Sequence, residues 1–597
     1  PSGEEKQILQ ANSELVDAGL VQVMLERAND LRIENNLDDA NSLMTLAGHL
    51  MGTYGNAIPE KASPATYLKF LIKVLQATLK SKGDPNVIYL LLRDNLNLVN
   101  DNLAVVLRSW AKETLPNLDS QDIRISIIEV IGNFCNAIRD FRLGSRASNL
   151  EIAITGYEVA LTVFTRQEYP ENWATTQNNL AIAYNNRIRG ERADNLEMAI
   201  SAYREALSVY TRETYPKDWA ITQNNLGTAY HQRIREEQSQ NLELAIAAFW
   251  ASLEIRTRDA FPIDWAMTKN NLGNAYRDRI RGEKAENMEL AICAFEKALE
   301  VYTCDAFPID WARCQNNLGL AYSSRIRGEK AENMELAIAY YQAALEILTL
   351  ENYPQDWATT QNNLGTIYSD RIRGERADNI EMAIACYQKA LCFFIRDEFP
   401  EQWAIVQKNL GNIYENRIYG NSTENITISF SCYQIYMENK FLQGVNNQKD
   451  KEPEKAYSNL ADAINLLDIC RKKIFCEKEK QEFTERWNKL YQVMVELCLE
   501  AENNIAALEY VERSKTRNLV ELFHKARSLP HQVQRQPITF AEIRNLLTEN
   551  EAILEWYITP TGFQTFIVTP DSPKPDVWQS SYADLEELEK FQHEYIN

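Results

Sequence analysis

The sequence predicts an all-α protein: a right-handed α-solenoid of about six 46-residue helical hairpins, preceded by a helical region and followed by a short β-hairpin from a truncated α/β domain. Three observations predict it. Tryptophan recurs every 46 residues, at Trp173, Trp219, Trp265, Trp311, Trp357 and Trp403, and a fixed period of this kind means one supersecondary unit stacked on copies of itself. Within each copy, apolar residues return at helical spacing on two successive segments. Near the end the period changes: Ala552 to Ile558 and Phe563 to Val568, separated by Thr559-Pro560-Thr561-Gly562, read as two strands.

The first helix of the unit is clearest in the second copy, where Tyr215-Pro216-Lys217-Asp218-Trp219 opens it. Proline suits a first turn because its missing N–H would be unpaired there anyway. Trp219, Leu226 and Tyr230 are spaced by seven and four and share one face. Gly227 sits beside that stripe and returns at Gly273, Gly319, Gly365 and Gly411, which predicts close approach of a neighbouring helix. A charged connector follows, Arg187-Ile188-Arg189-Gly190 in one copy and Arg233-Ile234-Arg235 in the next. The second helix is then expected to start at an N-capping asparagine, Asn195, Asn241, Asn287, Asn333, Asn379 or Asn425, with Glu197 and its equivalents adding negative charge to the first turn. Leu242, Ala245, Ile246, Phe249 and Leu253 form its amphipathic stripe. The connector arginines Arg187, Arg233, Arg279, Arg325 and Arg371 are expected to favour the end of the first helix and to pair with Asp218, Asp264, Asp310 and Asp356 of an adjacent unit; phosphate contact is the alternative.

These residues resemble a tetratricopeptide repeat. Leu226-Gly227 and Tyr230 match its first helix, and Ala199, Tyr203, Ala206 and Leu207 its second. That unit usually has about 34 residues, so this one resembles the longer repeats of kinesin light chains, which also contain an Asn-Asn-Leu run. The resemblance implies a concave groove lined by first helices, with a residue just before the leucine clamping a peptide backbone. The matching positions are Asn179, Asn225, Asn271, Asn317, Asn363 and Asn409, preceded by Asn178, Asn224, Asn270, Asn316 and Asn362, then Lys408. An amide both donates and accepts, which suits an extended chain with an unpaired backbone. The alternative is that these amides bond across to neighbouring repeats and hold the stack. Asn185, His231, Arg277 and Asp278 vary between copies, which either encodes a specific ligand or reflects only a solvated face.

Outside the array, residues 1–140 read as a helical N-terminal region, with Leu68, Ile72, Leu75 and Leu79 on one stripe and Ile123, Ile127, Ile128 and Ile131 on another. Repeats occupy 141–440, beginning with a degenerate copy at Phe141 to Ile154 that has a connector but no tryptophan-bearing first helix. Residues 441–453 are expected to be a linker, because Gly444 to Pro453 is polar. Diverged helical hairpins fill 454–525. The segment 526–597 carries a hairpin that needs a sheet, and no further strand is expected before the sequence ends.

Tyr510-Val511-Glu512-Arg513-Ser514-Lys515, Arg517-Asn518-Leu519-Val520 and Glu555-Trp556-Tyr557 resemble the junction into a CHAT domain, a caspase-like fold found behind tetratricopeptide arrays in bacteria. In that family a histidine and a cysteine form a catalytic dyad: the thiolate attacks the scissile carbonyl while the imidazole activates it and protonates the leaving amine. No cysteine follows Cys498, and His524, His531 and His593 precede the part where the dyad belongs, so no catalytic residue is assigned.

Composition excludes other classes. The formal charge of −21 over 597 residues disfavours nucleic acid, whose binding needs Lys and Arg to displace counterions. The longest uncharged stretch, Ala40 to Pro59, contains Asn41, Ser42, Thr45, His49, Thr53 and Asn56 and reads as a soluble amphipathic helix, not a membrane span. The sequence opens at Pro1 without an initiator methionine or a signal-peptide pattern. Ten scattered cysteines, including Cys293, Cys386 and Cys432 on second-helix stripes, lack zinc or redox spacing and read as buried thiols of a reducing cytoplasm, with no metal or cofactor site. Nothing in the residues sets an oligomeric state. The expected function is a protein–protein interaction scaffold that takes a protein or peptide in its concave groove, as the sensor arm of a caspase-like (CHAT) cysteine peptidase. The alternatives are an active peptidase whose catalytic part lies outside this chain, and a nucleic-acid-associated scaffold.

Overall fold

The computed structural model describes residues 63–449, 452–474, 477–515, 539–559 and 562–580. The chain divides into two compact units after Gly282. The catalytically uninformative His524, His531 and His593, and the motif Arg517-Asn518-Leu519-Val520, lie outside the described residues.

The first unit opens with α1 (Pro64–Lys80), α2 (Pro85–Arg93), α3 (Asp101–Thr114) and α4 (Gln121–Asp140). Ser63, Asp84, Asn100 and Ser120 cap their N-termini by accepting from backbone amides of the first turns. Leu71, Val74, Ile88, Leu103, Ile131 and Phe134 close one core between these helices and α5 (Arg146–Leu161). The degenerate repeat therefore does have a first helix. It is α4, which packs along α5 and carries Ile127 where the period would place a tryptophan.

The hairpins α6 (Pro170–Asn185)/α7 (Arg192–Leu207) and α8 (Pro216–Gln232)/α9 (Gln238–Leu253), then α10 (Pro262–Asp278), complete this unit. Each first helix starts at its proline, as expected. Each second helix starts three residues earlier than expected, at Arg192 or Gln238, so Asn195 and Asn241 are not N-caps. They are buried in the fourth helical position and reach back into the connector: Asn195 Nδ2 donates to the Arg189 carbonyl at 2.8 Å, and Asn241 Nδ2 to that of Arg235 at 2.8 Å. Such a clasp satisfies backbone that the turn leaves unpaired. The turn itself needs a left-handed residue, supplied by Gly144, Gly190 and Gly282 but by Glu236, at φ 67°, in the second copy.

The second unit repeats the construction in α11 (Lys284–Leu299), the hairpins α12 (Pro308–Ser323)/α13 (Lys330–Ile347) and α14 (Pro354–Asp370)/α15 (Arg376–Leu391), and α16 (Pro400–Glu415)/α17 (Ser422–Lys449). The recurring helix glycine behaves as its spacing predicts. A Cβ on Gly365 would lie 2.8 Å from the Tyr387 ring, and one on Gly411 2.7 Å from that of Tyr433.

The expected linker at 441–453 is not one: α17 runs to Lys449 and α18 (Pro453–Lys473) begins almost at once. Gly444 is the reason, because it is buried against Leu460, and a Cβ there would meet Leu460 Cγ at 2.6 Å. What reads as a polar, glycine-bearing breaker is a close helix contact. The helices α18, α19 (Glu477–Arg486), α20 (Asn488–Glu500), α21 (Asn504–Arg513) and the short α22 (Phe540–Arg544) build a second core around Leu460, Ile464, Tyr491, Met494 and Val511. Ile553, Tyr557, Phe566 and Val568 close it from the sheet side. The sheet has a third strand that the sequence pattern did not predict: β1 (Ile553–Thr559), β2 (Gly562–Val568) and β3 (Asp576–Gln579) pair antiparallel in that order, with Thr565 opposite both Trp556 and Trp578. Asp576-Val577-Trp578-Gln579 sets its two apolar residues side by side, so it shows none of the alternation that marks a strand.

Candidate functional site

The tryptophans pack between repeats. Trp173 and Trp219 flank one small cluster with Ala174, Ala206 and Tyr210, and Trp311 and Trp357 flank another with Ala312, Ala344 and Leu348. The recurring tyrosine of a first helix then bonds back to the preceding second helix through a partner that changes: Glu158 with Tyr184, Arg204 with Tyr230, Trp250 with Tyr276, Gln342 with Tyr368.

The connector arginines also tie copies together, although not to the expected aspartates. Arg187, Arg233 and Arg279 in the first unit each grip a glutamate of the preceding second helix with two nitrogens, Glu151, Glu197 and Glu243, at 2.7 to 2.9 Å. Arg325, Arg371 and Arg417 do the same with Glu289, Glu335 and Glu381 in the second. Glu197 and its equivalents therefore serve the ladder rather than a helix dipole. Their 46-residue recurrence in the sequence was the signal available for finding them. The bonds from arginine hold the carboxyls of Glu197, Glu243, Glu289 and Glu335 below the usual range.

On the first helices, Asn179, Asn225, Asn271, Asn317, Asn363 and Asn409 are half-buried, as are Asn178, Asn270, Asn316 and Asn362, while Asn224 is buried. Several use one amide atom across repeats. In the first unit Asn271 Nδ2 donates to Asn224 Oδ1 at 3.2 Å, Thr222 Oγ1 to Asn178 Oδ1 at 3.3 Å, and Arg139 Nη1 to Asn179 Oδ1 at 3.5 Å. In the second, Asn409 Nδ2 donates to Asn362 Oδ1 at 3.1 Å and Thr360 Oγ1 to Asn316 Oδ1 at 3.1 Å. The amides thus join copies, and because each has two donor hydrogens and two acceptor lone pairs, one such bond does not exhaust it.

The variable positions separate the two units. At the ends of α8 and α10, His231 Nε2 lies 2.9 Å from Asp278 Oδ2, and Arg277 bonds Asp278 at 2.9 and 3.0 Å and Asn274 at 2.9 Å. Burial pushes the Asp278 carboxyl up, but the bonds from His231 and Arg277 outweigh it and hold it at about 2. At the same place on α6, no donor among the described residues reaches the buried Oδ1 of Asn185. The second unit has Ser323, Ser369 and Glu415 there, and Glu415 is occupied by the Tyr433 hydroxyl and Lys473.

At the C-terminal junction Glu512, Arg513, Lys515 and Glu555 are drawn into one set of charged contacts. Lys515 Nζ lies 2.7 Å from Glu512 and 2.6 Å from Glu555, joining α21 to β1. Arg513 bonds Asp468 at 2.7 and 3.0 Å, and Arg471 donates to the carbonyls of Arg513 and Lys515. Among the described residues no cluster of three or more His, Cys, Asp or Glu could hold a metal, and no helix is long and apolar enough to cross a membrane.

A tetratricopeptide-repeat profile matches residues 173–212, 265–302, 311–347 and 357–391, so the chain carries tetratricopeptide repeats. No curated protein matches it. Among solved structures, the chain is similar to a monomeric mutant of IFIT1 with m7Gppp-AAAA, at 14% identity over 83% of this chain and 90% of that one, with a TM-score of 0.37. It is also similar to yeast Tom70, at 12% identity over 88% of this chain and 99% of that one, with a TM-score of 0.25. The TPR domain of P58(IPK) aligns at 15% identity over 66% of this chain and 98% of that one, with a TM-score of 0.20.

Proposed function

We propose that this tetratricopeptide array is a protein-interaction scaffold whose first helices take an extended peptide along their asparagines, and that it is the sensor arm of a caspase-like (CHAT) cysteine peptidase. The observation that carries the peptide reading is the pair of asparagine columns: six copies keep an amide before the leucine, half-buried, while the positions around it change. A fixed amide addresses any peptide backbone, and the changing neighbours choose among side chains. In the first unit three of the varying positions, His231, Asp278 and Arg277, bond to one another, and such a charged cluster favours a polar or charged ligand residue.

The sensor reading is supported by the junction, where Glu512, Lys515 and Glu555 couple α21, in the helices that follow the array, to β1 of the sheet. Partner binding would bias one arrangement of that contact, provided the partner prefers it. Nine free cysteines among the described residues, with Cys386 and Cys432 buried and Cys293 exposed, fit a reducing cytoplasm.

The test is recovery of binding partners from lysate on the immobilised chain and on variants with Asn225, Asn271 and Asn317 changed to alanine. The groove reading expects loss of specific partners with an unchanged melting curve; unchanged recovery sinks it. Cysteine-dependent cleavage of protein substrates by the purified chain would instead favour the peptidase reading, and binding that collapses with added salt the nucleic-acid one.

A further inference from the structure

The three-stranded sheet is apolar on both faces. On the inner face Ile553, Tyr557, Phe566 and Val568 close the core of the helices that follow the array. On the outer face Leu554, Trp556 and Ile558 of β1 and Trp578 of β3 are 63%, 63%, 55% and 55% exposed. They stand together. Pairing sets Leu554 beside Ile567, Ile558 beside Phe563, and Thr565 between Trp556 and Trp578. The Phe563 ring lies 6.2 Å from that of Trp556 and 5.5 Å from that of Trp578. The one charge on this face of the described strands is Asp576, at the corner where β3 begins. An antiparallel sheet that meets water on one side carries polar residues there, and a contiguous exposed apolar patch marks a contact surface. This face is built to be covered.

What covers it follows from where the chain goes next. After β3, Ser580 is fixed to Phe563: its N–H donates to the Phe563 carbonyl at 3.0 Å, and its hydroxyl accepts from the Phe563 N–H and donates to that carbonyl, each at 3.1 Å. The chain therefore leaves the sheet beside Phe563. Residues 581–597 lie outside the described residues, and their sequence has a helical period. Leu585, Leu588, Phe591, Tyr595 and Ile596 fall on one side of a 3.6-residue turn, and Glu586, Glu587, Lys590, His593 and Glu594 on the other. Ser581, with Asp584 three residues on, has the spacing of a helix start.

We propose that residues 582–596 of the same chain form an amphipathic helix that docks by its apolar side on the outer face of the sheet, over Leu554, Trp556, Ile558 and Trp578. The short connection carries the argument. Ser580 and Ser581 alone join strand to helix, and connections of about 2–6 residues fold a helix back onto the sheet it leaves. The inner face is already filled by the helices around Tyr491, Met494 and Val511, so the outer one is the face open to it. The lengths agree. About fifteen residues of helix rise about 22 Å, and the 7 residues of β1 extend about 23 Å. The glutamates of the opposite side then face water. This contact lies apart from the asparagine columns and does not depend on the groove reading.

Hydroxyl-radical footprinting of the full chain, read tryptophan by tryptophan in a mass spectrometer, tests it. Trp250 of α9, 48% exposed, is the reference. Left bare, Trp556 and Trp578 would be labelled at least as fast as Trp250; under the helix they should be labelled about fivefold more slowly, through local opening alone. Leu585→Glu/Leu588→Glu places charge in the docking stripe and should restore fast labelling of both, while Trp173 and Trp219 between repeats stay as in the parent. Glu586→Gln/Glu594→Gln, on the opposite side, should leave every tryptophan unchanged. Should the leucine variant fail to fold, the labelling of the parent decides by itself. Labelling of Trp556 and Trp578 as fast as Trp250 in the parent, or no response to the leucine variant, would overturn the proposal. So would protection that disappears on dilution together with a dimer mass in light scattering, which would assign the face to a second copy of the chain.

Discussion

Carboxylates paired with cations hold both the array and the C-terminal junction, yet they answer pH in opposite directions. In the array the glutamates of the ladder are between 18% and 34% exposed, 26% for Glu335, and the bonds from Arg371 hold the Glu335 carboxyl below the usual range. At the junction Glu555 is only 13% exposed, and burial pushes its carboxyl up despite the bond from Lys515. The lesson is that the number of charges sharing a cation, and the water around them, decide the sign. One arginine serves one carboxylate in the ladder, whereas Lys515 serves two, one of them the fully buried Glu512.

The widest way to break that contrast is Lys515→Ala, which leaves two buried carboxylates facing each other. It should cost about 3–5 kcal/mol, the usual result of orphaning buried charge, read by chemical denaturation. A raised carboxyl binds its proton more tightly in the folded state, so the variant should regain stability as pH falls from 8 towards 5; an equal loss at both pH values would contradict the assignment of Glu555. The ladder should behave conversely. Its stabilisation is present above the unfolded carboxyl pKa and is lost as pH falls through the lowered folded one.

Gly365→Ala comes next, since its Cβ would press on the Tyr387 ring at 2.8 Å and overpacking costs about 1–3 kcal/mol. Gly132→Ala is the control: nothing lies within 4 Å of its Cβ, so the gain in helix propensity should stabilise by up to about 1 kcal/mol. A double-mutant cycle on Arg371 and Glu335 should give a coupling of about 0.5–1 kcal/mol, because the pair keeps partial contact with water; a value as large as the junction's would erase the comparison. Glu236→Gly should add roughly 1 kcal/mol by relieving a left-handed backbone at φ 67°, and a decrease in melting temperature would show that the Glu236 side chain matters more than its backbone.

Periodic features were legible because copies repeat them. Prolines at helix starts, tryptophans between repeats and glycines against rings all stand where spacing put them. The errors fell where a residue type has two uses. Asparagine at a helix start reads as a cap, yet Asn195 bonds backward from the fourth position. Glycine in a polar run reads as a break, yet Gly444 is a helix contact. Aspartate beside a proline looked like the partner for arginine, but the glutamate 36 residues before each arginine takes that place.

For the candidate site, the sequence supplied the columns of asparagine and the positions that vary, but not which amide atoms are already engaged. By itself it determined the repeat, its two helices and the resemblance to tetratricopeptide units, because hydrophobic periodicity is a property of single helices and needs no partner to be read. Only the tertiary structure decided who pairs with whom: the arginine ladder, the cross-repeat amides, the third strand and the shared Lys515. Those choices depend on which side chains meet at hydrogen-bond distance between elements far apart in sequence, and local pattern carries no such distance.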